Sequence, residues 1–138
     1  MQKTNKSYSE SQYQCAVVAL IKEQLPYFEK RIILINNNAK SGREGAILEK
    51  LGLRKGASDF MVLIPNHAAK VLFVEMKANT KLSNDQKEFR QMCIADGYLF
   101  CKCQNSEELK IIMDILKTQV PNEHRSMQPA WQGANNKI

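Results

Sequence analysis

From Tyr13 to Ile21 the apolar residues Tyr13, Ala16, Val17, Leu20 and Ile21 recur at three- and four-residue spacing. That period marks a helix with one buried stripe. It starts near Ser9 and ends at Pro26. The first seven residues are polar and read as a flexible arm. Arg31–Asn36 is a short β-rich run closed by the turn-prone Asn36-Asn37-Asn38. Ala46, Ile47, Leu48 and Leu51 place a short helix before Gly52. Two strong strands follow, Ser58–Ile64 and Lys70–Lys77, joined by Pro65-Asn66-His67-Ala68-Ala69. Ser83-Asn84-Asp85-Gln86 has the S-x-x-Q form of a capping box and opens a helix to about Asp96, stopped at Gly97. Tyr98–Cys103 reads as a strand. Asn105 caps a last helix through Leu109, Ile112, Met113 and Leu116.

The order α-β-α-β-β-α-β-α predicts an α/β fold, a small mixed sheet flanked by helices. Residues 1–118 form the expected domain. Residues 119–138, rich in Gln, Asn and Pro, read as a polar extension with Trp131 as its one possible anchor.

Chemistry concentrates between Gly56 and Gly97. Alternate residues of a strand share a face, so Val71, Phe73, Glu75 and Lys77 project together. If Ile64 and Lys70 flank the connecting loop, Leu63 faces Val71 and Asp59 faces Glu75. Opposed side chains then have Cβ atoms roughly 4.5–5.5 Å apart. Two carboxylates that close repel unless a proton or a cation lies between them, and a hard divalent ion with oxygen ligands suits the position. The same residues admit a plainer reading, in which Glu75 and Lys77 form a surface ion pair and Asp59 caps a turn. A one-residue slip in register would favour the plainer one.

Composition narrows the field. In 138 residues, 20 Lys and Arg stand against 14 Asp and Glu, a formal charge of +6. The excess favours a polyanionic partner. Lys40, Arg43, Lys50, Arg54 and Lys55 concentrate it ahead of Asp59, and Lys81 adds to it beyond Lys77. These residues could track phosphates or simply form a solvated face. No apolar run approaches the roughly 20 residues of a membrane span, and the polar start lacks a signal peptide's apolar stretch. Cys15, Cys93, Cys101 and Cys103 include no C-x-x-C pair and are expected as reduced thiols, with a cytoplasmic location as the default. Gly42 and Gly45 do not make a phosphate-cradling loop, so no nucleotide cofactor is expected.

Taken in order, Gly56-Ala57-Ser58-Asp59, Glu75-Met76-Lys77, Ser83-Asn84-Asp85-Gln86 and Gly97-Tyr98 resemble the PD-(D/E)XK nuclease signature. The nearer resemblance is to its VRR-NUC branch, the virus-type replication-repair nucleases, in their stand-alone viral or bacterial form. It covers Ser9 to Leu116. One departure is Ser58, where many relatives carry Pro.

The resemblance implies a restriction-endonuclease-like core and a Mg²⁺- or Mn²⁺-dependent DNA endonuclease. Asp59, Glu75, Lys77 and Gln86 are then the expected catalytic residues. Asp59, Glu75, the Met76 main-chain carbonyl and Glu10 are the expected metal ligands. Lys77 would orient or deprotonate water, or stabilise charge on the phosphate; the residues do not choose among these roles. Gln86 is expected to contact the lysine or the nucleic-acid backbone. By analogy with stand-alone members, the substrate is expected to be branched DNA such as a four-way (Holliday) junction, cut by a homodimer in DNA repair. Other repair nucleases of the superfamily (nick, flap or end processing) and a non-catalytic nucleic-acid-binding module are the alternatives.

Overall fold

The computed structural model describes residues 2–35 and 41–125, with side chains for 10–35 and 41–124. Helix α1 spans Gln2–Gln24, so the expected N-terminal arm is helical instead. Periodicity reports burial rather than helicity, and the polar residues before Ser9 carry no apolar period to read. Pro26 starts a 3₁₀ turn, Pro26–Phe28. There follow β1 (Ile32–Leu34), α2 (Gly42–Lys50), β2 (Phe60–Ile64), β3 (Lys70–Met76), α3 (Asn84–Ala95), β4 (Leu99–Cys103), α4 (Ser106–Gln119) and the short α5 (Asn122–Arg125). The expected order holds, with the 3₁₀ turn and α5 added.

The four strands form one mixed sheet in the order β1-β2-β3-β4. β1, β2 and β3 pair antiparallel. β3 and β4 pair parallel, joined through α3. Alternation divides the sheet into two faces. Phe60, Val62 and Ile64 of β2 and Leu72, Val74 and Met76 of β3 are buried with Val17 and Ile21 of α1 and Ile112 and Leu116 of α4. On the other face, Phe73 and Phe100 pack against Phe89 and Cys93 of α3. Phe73 meets Phe89 edge to face, with ring centroids 5.1 Å apart.

The domain continues past Thr118. Val120, only 2% exposed, joins the main core. It falls on the apolar stripe of Met113 and Leu116, but its polar neighbours Thr118 and Gln119 hide that period. The His124 ring packs against Tyr27 at 5.1 Å. Trp131 and Asn36 to Asn38 lie outside the described residues. No helix among the described residues is long and apolar enough to cross a membrane. The four cysteines are free thiols, with Cys93 and Cys103 buried.

Candidate active site

The β2–β3 ladder pairs Leu63 with Val71 and ends at Phe60 with Val74. One step further, the Asp59 N–H donates to the Val74 carbonyl at 3.1 Å. The Met76 N–H donates to Asp59 Oδ2 at 2.7 Å. Asp59 thus stands across from Glu75, in the register read from the loop length. The two carboxyl groups lie close enough for the charge of Asp59 to act directly on Glu75.

Glu75 is only 3% exposed. Its Oε2 accepts a hydrogen bond from Gln86 Nε2 at 3.1 Å. Its Oε1 is buried and has no hydrogen-bond partner among the described residues. Burial, reinforced by the neighbouring Asp59 carboxyl, pushes Glu75 up to about 9. Burial also raises Asp59, against the lowering influence of the Met76 N–H. Lys77, buried at 8% exposure, opposes both shifts with its charge. Its ammonium forms no ion pair with a described residue.

Gln86 joins helix to sheet. Ser83 Oγ accepts from the Gln86 N–H at 3.2 Å, and Gln86 Oε1 accepts from the Ser83 N–H at 2.8 Å, closing the capping box. Its remaining amide donor reaches Glu75. Within the chain its partner is this carboxylate and not the lysine. Gly56 sets the height of this helix end. Its φ is +80°, and a Cβ there would lie 2.4 Å from the Asp85 main-chain carbon. The loop before β2 therefore rests directly on the first turn of α3.

Glu10 arrives from α1, and its Oε2 accepts from the Ala78 N–H at 3.3 Å. Its charge further raises both carboxyls of the pair. Among the described residues no three His, Cys, Asp or Glu side chains gather closely enough to hold an ion. Glu10, expected among the ligands, stands beside the pair and bonds the main chain at Ala78. The Asp59–Glu75 pair still fits a hard cation such as Mg²⁺ or Mn²⁺. It offers carboxylate oxygens only, one of them orphaned and buried, the donor type that such an ion takes.

This geometry sets a pH dependence. The metal-free fold holds a proton on Glu75 up to about 9, whereas the free side chain loses it near 4.5. The stability from this proton is fully present below 4.5 and is lost as pH rises through about 9. In EDTA, the melting temperature should therefore fall as pH climbs through that window, and Glu75→Gln should flatten the fall. A calorimetric melting temperature that rises there would contradict the buried pair.

The basic residues divide. Lys40 lies outside the described residues. Arg43 and Lys50 are exposed on α2. Arg54 pairs with Glu88 at 3.4 Å and Lys55 with Glu49 at 3.8 Å, so part of the basic run is neutralised within the fold. Lys81 lies in a groove with Lys87, Arg90 and Lys102. Lys102 was missed from sequence. The parallel register places it beside Glu75, and no local pattern reveals a register made across a helical crossover. Gln104 was missed too; its Nε2 donates to the Ala78 carbonyl at 3.1 Å.

The VRR-NUC domain family profile matches residues 2–107. The chain belongs to the VRR-NUC domain family. The match runs from α1 into the start of α4 and takes in Glu10, Asp59, Glu75, Lys77 and Gln86. A solved structure of a VRR_NUC domain protein is similar to this VRR-NUC chain over 78% of its length and 88% of the other chain, at 22% identity and a TM-score of 0.63. That likeness is one of fold. No curated protein matches the chain. The VRR-NUC membership makes this a nuclease-type domain.

Proposed function

We propose that the domain is a metal-dependent DNA endonuclease acting on branched DNA, such as a four-way junction, as a homodimer. The observation that carries the nuclease chemistry is buried Glu75 opposite half-buried Asp59 and beside Lys77, with an oxygen of Glu75 left without a partner. A Mg²⁺ or Mn²⁺ ion, held by Asp59, Glu75 and the Met76 carbonyl, would polarise the scissile phosphate and lower the pKa of an attacking water. Lys77 Nζ is free to orient that water or to meet charge developing on a phosphate oxygen. Gln86 holds Glu75 in place, and Glu10 holds the main chain at Ala78. Branched DNA and the dimer rest on analogy with stand-alone family members, and two symmetric sites are the simplest way to cut two strands.

Labelled four-way junctions, flaps, nicked duplexes and linear duplexes, incubated with and without Mg²⁺, test this. Mg²⁺-dependent cleavage that is fastest on the junction is the expected result. Preference for a nick, flap or end would replace the substrate. Binding without cleavage in Mg²⁺ or Mn²⁺ would leave a nucleic-acid-binding module.

A further inference from the structure

Lys81, Lys87, Arg90 and Lys102 line one groove of about 520 Å³, and no carboxylate lines it. Lys81, Lys87 and Arg90 are exposed and form no ion pair with a described residue. Lys102 is partly balanced by Glu108 at 3.5 Å and donates to Gln104 Oε1 at 2.9 Å. Cations gathered in a concave surface repel one another and focus a positive potential outward. The contrast with Arg54 and Lys55, each paired within the fold, is direct.

The groove borders the strand that carries Glu75. Its loop residues Asn79 and Thr80 follow Lys77 and Ala78 along the chain. Lys102 stands beside Glu75 on the neighbouring strand. Arg90 lies one helical turn beyond Gln86, whose amide holds Glu75, and residues four apart share a helix face. A polyanion that reaches Glu75 therefore has these cations beside it on the neighbouring strand and helix.

We infer that this groove is the phosphate track for the DNA strand cut at Asp59 and Glu75. The inference rests on the nuclease reading above. It names the α3–β4 groove, rather than the basic run before Asp59, as the main seat of backbone contacts.

The test measures binding of a fluorescein-labelled DNA duplex by anisotropy, in EDTA, across a salt series. Lys87→Gln/Arg90→Gln should weaken binding and flatten the slope of log K against log salt by about 1.8, since each lost phosphate contact removes about 0.9. Lys30→Gln/Lys70→Gln, at the opposite end of the sheet, is matched in charge and should leave the slope unchanged. An unchanged slope in the groove variant, or equal flattening in the control, overturns the inference. If the double variant fails to fold by circular dichroism, Lys81→Gln replaces it, with an expected change of about 0.9. Should the slopes behave as expected while the parental protein shows no metal-dependent cleavage, the track stands and the nuclease reading falls.

Discussion

Lys77→Ala should slow single-turnover cleavage at saturating DNA by roughly 10²–10⁴-fold, the range typical of losing a general acid–base group, without weakening metal binding. The side chain is buried beside two carboxyls and contributes charge but no ligand atom. Removing its positive charge lowers repulsion against an incoming cation, so metal affinity should hold or rise slightly. Asp59→Asn should behave differently. It takes a charged oxygen from the pair, so metal affinity and cleavage should fall together, and added Mg²⁺ should recover part of the rate. Added Mg²⁺ should recover nothing for Lys77→Ala. Calorimetric metal titration beside single-turnover cleavage separates the two behaviours. Parental cleavage by Lys77→Ala would remove the lysine from the chemistry.

Gly56→Ala should destabilise the domain by about 3 kcal/mol or more. Holding alanine at a positive φ costs roughly 1–2 kcal/mol. The new methyl group would also stand 2.4 Å from the Asp85 main chain, which must then move. A fall in melting temperature on the order of 10 °C follows for a domain of this size. Gly52→Ala isolates the first contribution. Gly52 also has positive φ, +109°, but a Cβ there meets nothing within 4 Å. Its variant should therefore lose only the conformational part. Because α3 carries Gln86 onto Glu75, Gly56→Ala should also depress cleavage at temperatures where it stays folded. Equal melting temperatures for the two variants would show that the close approach at Gly56 does not constrain α3.

Sequence made the hairpin legible because its register depends on one local quantity, the loop between Ile64 and Lys70. Once that loop is read correctly, Asp59 must oppose Glu75. The capping box was legible for the same reason, since Ser83 and Gln86 bond within one turn. The third bond of Gln86, to Glu75, was not, because side-chain direction across a helix–sheet contact depends on packing. Arg54 and Lys55 looked alike in a basic run. One finds its counter-charge at Glu88, far along the chain, and no composition argument anticipates that pairing. Lys102 illustrates the same limit. Its place beside Glu75 exists only after β3 and β4 align in parallel across α3. The polar start of α1 was read as an arm because a polar stretch carries no apolar period to read.

The hairpin and the helix after it have a consequence for how the domain assembles. Asp59, Glu75, Lys77 and Gln86 all lie on one contiguous β2–β3–α3 segment, so closing them together involves only short loops and little closure entropy. Contacts of that kind form quickly, whereas contacts between distant parts of the chain form late. Glu10 and Gln104 are distant partners, and both fasten on Ala78, at its N–H and its carbonyl. The reactive groups can therefore be gathered early in folding. The two bonds at Ala78 act as late latches, closing when α1 and β4 dock on either side.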